Sequence, residues 1–97
     1  MTQSQARVST SRPDRYAKQL VSHLGRRNPP RQEGTSTRLT FDRGSSLVTP
    51  GEDFLLLQVY ADNAEDLAFV EDVVARHLVR FGEQDQLTVQ WEPVESP

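Results

Sequence analysis

The sequence contains no cysteine among its 97 residues. This absence excludes a disulfide framework, thiol-based catalysis and every metal site that depends on cysteine ligands. Long hydrophobic runs are also missing, since no stretch approaches the roughly 20 apolar residues that a membrane-spanning helix requires. Residues 1–7 contain no apolar segment of the kind found in secretory signals. This pattern predicts a cytoplasmic protein.

What remains is the composition of an ordinary folded domain. Hydrophobic residues make up 35% of the chain and charged residues 26%, a balance that can support a core. A length of 97 residues is enough for one domain and too short for two. We therefore expect a single domain over residues 5–92, with disordered tails at residues 1–4 and 93–97.

The net charge of −3 conceals an uneven distribution along the chain. Residues 1–38 contain eight Arg or Lys and two acids, whereas residues 39–97 contain three Arg and twelve acids, so the two parts carry +6 and −9. Attraction between oppositely charged helix faces explains this asymmetry, and a basic patch for an anionic ligand is the alternative. Tyr16 is the only aromatic residue of the basic part, which argues against a nucleic-acid partner.

Two segments have the periodicity of amphipathic helices. The first begins with Ser11 as cap and Pro13 in the first turn, and Gly25 is its expected end. Its apolar stripe consists of Tyr16, Ala17, Leu20, Val21 and Leu24. The second has candidate caps at Asp62 and Asn63 and ends at Gly82. Its stripe consists of Leu67, Val70, Val74, Leu78 and Phe81.

The apolar residues outside these helices favour β-strands. Strands are expected at residues 5–10 (a weak edge strand), 37–41, 46–49, 54–61 and 86–91, and residues 28–36, with two prolines and a glycine, are expected to form a mobile loop. The resulting order, β-α-β-β-β-α-β, predicts an α+β fold. We expect a two-layer sandwich in which a mainly antiparallel sheet carries both helices on one face.

His23 and His77 lie at the edges of the two helical stripes. If the helices lie side by side on the sheet, both imidazoles border one groove, and Tyr16 and Arg80 would complete a ligand site there. The alternative is that each imidazole donates a hydrogen bond to a carbonyl or carboxylate between the helices. Two histidines without cysteine are too few ligands for a closed zinc site, so we predict no metal site.

No combination of residues indicates an enzyme. Ser22 and His23 are neighbours on a helix, where adjacent side chains diverge by about 100°, so Ser22 cannot readily pass its proton to His23. The chain also lacks a Gly-x-Ser-x-Gly turn, a glycine-rich phosphate loop and a His-Glu-x-x-His sequence. We therefore expect no catalytic residues and a non-enzymatic role.

Apolar residues outside the two stripes are candidates for a protein–protein interface. Phe69 and Val73 lie on the outer flank of the second helix, and Tyr60 belongs to the otherwise polar face of the sheet. A wider buried arc of the helix is the alternative explanation for Phe69. An exposed patch at these positions would support a homodimer or a partner protein.

Three segments resemble an uncharacterised bacterial family, domain of unknown function 2218. They are Arg-Tyr-Ala-Lys-Gln-Leu-Val-Ser-His-Leu (15–24), Val-Val-Ala-Arg-His-Leu-Val-Arg-Phe (73–81) and Leu-Thr-Val-Gln-Trp (87–91). The resemblance extends from Ala6 to Trp91. It implies a stand-alone cytoplasmic protein associated with iron uptake and siderophores, without an established activity.

The residues and the resemblance together lead to two hypotheses about function. The first is a non-enzymatic accessory protein of iron or siderophore metabolism. Such a protein would bind an anionic iron chelate, haem or a partner through Tyr16, His23, His77 and Arg80. The alternative is a homodimeric interaction module without a small ligand, which would associate through Tyr60 or through the flank of Phe69 and Val73.

Overall fold

The fold is α+β, as the sequence predicts. A computed structural model describes residues 2–26 and 29–94. Along the chain these residues form β1 (Thr2–Ser9), α1 (Pro13–Leu24), β2 (Arg31–Glu33), β3 (Ser36–Phe41), β4 (Gly44–Pro50), β5 (Phe54–Ala61), α2 (Ala64–Phe81), a 3₁₀ turn (Glu83–Asp85) and β6 (Glu92–Val94). The order therefore contains one strand more than expected between the helices.

The strands form one antiparallel sheet in the order β2-β3-β4-β5-β1-β6. Along β5 the side chains alternate, so that Leu55, Leu57 and Val59 are buried while the residues between them are only half-buried. Helix α1 lies over β3, β4 and β5, and helix α2 lies over β1, β4 and β5. Both helices cover the buried side of β5, which confirms the two-layer sandwich with its helices on one face.

One core joins the two layers. Leu20 of α1, Leu78 of α2 and Leu57 of β5 all have 0% exposure and belong to the same cluster. Burying a side chain of this size stabilises a fold by about 1.5–3 kcal/mol. Because both helices are anchored on the same strands, their facing edges lie at a defined separation.

Strand β1 is longer and more central than predicted. It pairs with β5 along its whole length, from Thr2 opposite Ala61 to Ser9 opposite Phe54, and its other edge pairs with β6. The expected edge strand is therefore an inner strand. Residues 2–4, predicted as a disordered tail, belong to the sheet. Ser4 is buried and donates a hydrogen bond to Glu71 of α2 at 2.5 Å.

The start of α1 differs from the predicted serine cap, whereas its end agrees with the prediction. Arg12 occupies the cap position, and the side-chain oxygen of Thr10 accepts the hydrogen bond of its amide at 3.1 Å. Pro13 follows as the first helical residue and has no amide that would need a partner. At the other end, the amide of Gly25 donates to the carbonyl of Val21 at 2.9 Å.

Part of the predicted mobile loop 28–36 is a strand. β2 pairs with β3, and Gly34 has a φ of +66° in the turn between them, a conformation that glycine adopts without strain. Arg38 Nε donates to Glu33 Oε2 at 2.6 Å, and this hydrogen bond lowers the pKa of Glu33 below its ordinary value. The polar sequence concealed the strand because backbone pairing does not require apolar side chains. Residue 28 lies outside the described residues.

The returning strand is not at 86–91, as predicted, but at β6. After α2 the chain makes the 3₁₀ turn and passes through Gln86, whose φ of 54° is left-handed. The following segment has no strand pairing, although Leu87, Val89 and Trp91 pack against the core. Their alternation therefore indicated burial and not pairing. Of the predicted tail 93–97, residues 93 and 94 belong to β6 and residues 95–97 lie outside the described part.

Candidate ligand-binding cavity

A cavity of about 390 Å³ opens where the end of α1, the middle of α2 and the turn between β3 and β4 meet. Its lining residues are His23, Leu24, Arg26, Thr40, Phe41, Asp42, Arg43, Phe69, Val73 and His77. Sites for small molecules usually measure about 300–1,000 Å³ and combine apolar walls with a few polar groups. The cavity is at the small end of that range and has this mixed lining.

Gly44 allows the β3–β4 turn to approach α2. A Cβ atom at this position would lie 2.4 Å from the carbonyl oxygen of Tyr60 and 3.0 Å from Cγ2 of Val70. Phe41 pairs with Gly44 and closes the turn, which leaves Asp42 and Arg43 at its tip beside the helix. This close packing makes the turn one wall of the cavity.

The two imidazoles are in contact. The ring centroids of His23 and His77 are 4.9 Å apart, and the ring planes are tilted by 46°. Phe81 lies one helical turn after His77, and its ring meets His23 edge-on at 5.4 Å between centroids. His23 belongs to the last turn of α1, so the helix–helix packing brings the pair together. The shared groove expected from the sequence is present, with both rings at its border.

Hydrogen bonding identifies the free nitrogen of His77. Nδ1 of His77 lies 2.7 Å from the carbonyl oxygen of Val73. A carbonyl can only accept, so Nδ1 carries the hydrogen and Nε2 is left available. His77 therefore has the backbone partner that the sequence offered as an alternative, and it also lines the cavity.

His23 is the more exposed of the two rings, and neither of its nitrogens has a hydrogen-bond partner within residues 2–26 and 29–94. Partial desolvation lowers the pKa of His23 below its ordinary value. Nearby groups that carry or can take positive charge lower it further: His77, Arg26 and Arg80. The neutral imidazole, with a free lone pair, is therefore favoured near neutral pH.

Arg43 covers the apolar wall of the cavity. Its guanidinium carbon lies 4.3 Å from the ring centroid of Phe69, whose side chain is 45% exposed. Nε of Arg43 donates to Oδ1 of Asp66 at 2.7 Å. Asp66 is held in turn by the cap of α2, since its amide donates to Oδ1 of Asn63 at 2.8 Å. The position of Arg43 is thus defined, and part of its charge is compensated.

Arg26 and Arg43 differ in whether a carboxylate compensates their charge. Both residues line the cavity, yet Arg26 has no ion pair among the residues that the structure describes. A cation without a carboxylate partner at the rim of a partly apolar cavity favours an anion there. Arg26 and the two imidazoles are therefore the lining groups that suit an anion, and Asp42 is the one carboxylate of the lining.

The structure separates two of the predicted ligand residues from this cavity. Tyr16 is only 5% exposed, and its hydroxyl donates a hydrogen bond to Asp85. It precedes His23 by two helical turns, or roughly 10 Å along the axis. Arg80 is exposed and does not line the cavity, although its charge affects the pKa of His23. The predicted set of four residues is therefore not assembled in one place.

The three predicted interface residues lie on two different surfaces of the protein. Phe69 and Val73 line the same cavity as the imidazoles. Tyr60 belongs to the opposite face of the sheet, where the guanidinium carbon of Arg38 lies 5.5 Å from its ring centroid. The ligand site and the helix flank, separate in the sequence-based hypotheses, are one surface in the fold.

The chain matches the profile of a family described as an uncharacterized protein conserved in bacteria (DUF2218), over residues 5–92. The chain belongs to this family. The resemblance inferred from the sequence is thereby confirmed. No curated protein matches the chain.

A solved structure supports the fold of this DUF2218 member. The NMR structure of PA4090 from Pseudomonas aeruginosa is similar to it with a TM-score of 0.80 and 26% sequence identity. The alignment covers 99% of this chain and 100% of the other. In the part of the chain that the structure describes, no helix is long and apolar enough to cross a membrane.

Several cavity residues of this DUF2218 chain were not among the sequence-based candidates. They are Leu24, Arg26, Thr40, Phe41, Asp42 and Arg43. Arg26 follows the predicted end of the first helix, and Asp42 and Arg43 lie between two predicted strands, where no pattern singles them out. The positive charges of Arg26 and Arg43 are visible in the sequence. No periodic pattern, however, shows that the turn between β3 and β4 lies beside a distant helix.

Proposed function

We propose that the protein is a non-enzymatic binding protein of bacterial iron or siderophore metabolism, and that its ligand is a small anionic molecule held in the cavity between His23, His77 and Phe69. The observation that carries this proposal is the composition of the cavity. Its lining combines the two imidazoles and the cations Arg26 and Arg43 with the apolar Leu24, Phe41, Phe69 and Val73, and Thr40 and the single carboxylate Asp42 complete it. Within residues 2–26 and 29–94, Arg26 has no ion pair. A ligand with a carboxylate or phenolate group and a flat apolar body matches this lining.

The association with iron metabolism is supported by the family resemblance, and the chemistry of the cavity is compatible with it. Natural iron chelators carry carboxylate, catecholate or hydroxamate groups, of which the anionic ones would pair with Arg26. An anionic chelate suits the site better than haem. The rings of His23 and His77 are in contact, so no porphyrin can lie between them.

A binding role is favoured over catalysis by the partners of the histidines. His77 Nδ1 is held by a main-chain carbonyl, whereas a catalytic base is typically oriented by a carboxylate and placed beside a nucleophile. Ser22 does not line this cavity, and it borders a neighbouring hollow that His23 and Arg26 also line. The proposal therefore assigns these residues to recognition of a ligand.

Titration with 2,3-dihydroxybenzoate, an aromatic carboxylate that chelates iron through its hydroxyls, tests the proposal. We expect saturable shifts of the ring signals of His23 and His77 in ¹H–¹⁵N spectra. Arg26→Ala should weaken binding by about 10- to 150-fold, because a charge-assisted hydrogen bond contributes about 1.5–3 kcal/mol.

Arg76→Ala is the matched control for this experiment, because Arg76 is exposed, pairs with Asp72 at 3.9 Å and does not line the cavity. Its affinity should equal that of the wild type. Ring signals that stay unchanged at saturating ligand, or equal losses in both arginine variants, would contradict the proposal.

A homodimer is the second candidate function, and the 45% exposure of Phe69 favours it. Large exposed apolar side chains are common at contacts between subunits. Sedimentation velocity should then show a mass that increases with concentration. Phe69→Glu and Tyr60→Glu test the two faces separately, because the residues lie on opposite sides of the sheet. A monomer at all concentrations in the wild type excludes this alternative.

A further inference from the structure

The two imidazoles have the separation of neighbouring ligands on one metal ion. Metal–nitrogen bonds measure about 2.0–2.1 Å, and the centroid of an imidazole lies roughly 1.1 Å behind its nitrogen, so neighbouring ligands on one metal have centroids about 4.5–5.2 Å apart. The observed distance between His23 and His77 is 4.9 Å. Ligands on opposite sides of a metal would be about 6.4 Å apart by the same bond lengths.

The hydrogen bonds of the pair agree with this arrangement. A histidine ligand usually donates its other ring N–H to a carbonyl or carboxylate, which orients the ring and leaves the second nitrogen for the metal. His77 has such a bond from Nδ1 to the carbonyl of Val73 at 2.7 Å. His23 has no hydrogen bond within the described ranges, so its ring nitrogens are free to coordinate.

The protein supplies only part of a coordination sphere. Among the described residues, no group of three or more His, Cys, Asp or Glu side chains is arranged to hold a metal. A metal at the imidazole pair would therefore keep positions that a second molecule must fill. Arg26 lines the same cavity, and its charge, which no carboxylate compensates within the described ranges, suits an anion at that position.

We infer that the cavity binds a divalent transition metal as a mixed complex, in which His23 and His77 provide two neighbouring ligands and a small anionic chelator provides the others. Two imidazole nitrogens displace two water molecules from the metal, and no electron is transferred. Imidazole suits Fe(II), Ni(II), Cu(II) and Zn(II). The inference rests on the proposed function, because it specifies the ligand of the same cavity as a chelate with open coordination positions.

A pair of nickel chelates tests this directly. Nickel(II) nitrilotriacetate leaves two neighbouring positions open, whereas nickel(II) EDTA leaves none, and both complexes are anionic. Calorimetry with the full chain should show binding of the nitrilotriacetate complex and no binding of the EDTA complex. His23→Gln and His77→Gln should each weaken binding about tenfold or more, because one of two ligands is lost.

The arginine variants test the chelator side of the complex. Arg26→Ala should weaken binding of the anionic nickel nitrilotriacetate but should not weaken binding of nickel(II) in water, because the substitution also removes a positive charge that repels the metal ion. Arg76→Ala is again the control and should match the wild type for both. Circular dichroism should show that all variants are folded. His23 is exposed and is not one of the buried core residues, so its replacement leaves the core side chains in place.

Each outcome separates this inference from the proposed function. Equal binding of both nickel chelates, or binding that survives His23→Gln, overturns the metal inference and leaves anion binding in place. The same holds if 2,3-dihydroxybenzoate binds and nickel nitrilotriacetate does not. If neither compound binds, both proposals are overturned.

Discussion

The hydroxyl of Tyr16 donates a hydrogen bond to the carboxylate of Asp85, which lies 69 residues later in the chain. This bond connects the second turn of α1 with the 3₁₀ turn that follows α2. The contact between His23 and His77 joins α1 to α2 itself, further along α1. Tyr16 therefore supports the separation of the helices at the cavity without contacting a ligand there.

Removing the hydroxyl should cost stability but not binding. Tyr16→Phe keeps the buried ring and deletes one hydrogen bond, so we expect the free energy of unfolding to fall by about 1 kcal/mol. Urea denaturation measures this change. Affinity for 2,3-dihydroxybenzoate or nickel nitrilotriacetate should equal that of the wild type. A loss of affinity in a folded Tyr16→Phe protein would show that the hydroxyl of Tyr16 contributes to ligand binding.

The same hydrogen bond should make the free energy of unfolding decrease with rising pH in the alkaline range. The hydrogen bond to Asp85, with burial and the carboxylate charge, raises the pKa of Tyr16 above its ordinary value of 10.0. The neutral phenol is therefore favoured in the folded state. Its contribution is fully present below the unfolded pKa and is lost as the pH rises through the folded pKa. Tyr16→Phe should lack this decline in urea titrations above pH 10, and an equal decline would exclude Tyr16 as its cause.

His23 should titrate below its ordinary pKa in the metal-free protein. Desolvation is the largest cause of the lowered pKa, followed by the charge of His77, so His77→Gln should raise the pKa of His23. Because the folded state favours the neutral ring, its contribution to stability is present above the ordinary value of 6.5 and is lost as the pH falls through the lowered one. The ring signals in ¹H–¹⁵N spectra measure the pKa, and an unchanged value in His77→Gln would contradict the contact.

Gly44→Ala should destabilise the wall of the cavity. The added Cβ would lie 2.4 Å from a main-chain oxygen of β5, so backbone must shift. We expect a loss of about 1–3 kcal/mol in the free energy of unfolding, as for other overpacked sites. Gly34→Ala is the comparison, because its Cβ meets no atom within 4 Å and only the φ of +66° is unfavourable. Equal losses in the two variants would show that the close approach does not matter.

Helices and strands were predicted correctly where residues close in the sequence, such as caps and turns, determine where the element begins and ends. The strand expected at 54–61 is β5, because a run of apolar residues bounded by turns specifies a central strand. For α2, Asn63 is the cap and Gly82 follows the last turn, as predicted. The strands that the sequence did not predict correctly are β2, which was expected to be part of a loop, and β6, which was expected at residues 86–91. Each is three residues long and depends on a neighbouring strand for its hydrogen bonds.

The candidate site was predictable only in part. The spacing of His23 and His77 relative to the apolar stripes placed both near the seam of the helices, since helical periodicity relates each residue to its own buried face. The distance between the two imidazoles depends on how the two helices pack on the sheet. Tyr16 shares the stripe of α1 and was included for that reason, yet Asp85 lies close enough to bind its hydroxyl.

By itself, the sequence determined the two amphipathic helices, the central strand and the absence of cysteine chemistry, because these depend on residue type and on periods of a few residues. The tertiary structure alone decided that Arg26, Arg43 and Phe69 surround the same cavity as the imidazoles. The physical reason is that cavities form between elements distant in the chain, where Gly44 lets a turn approach a helix and a shared core sets the distance between the layers.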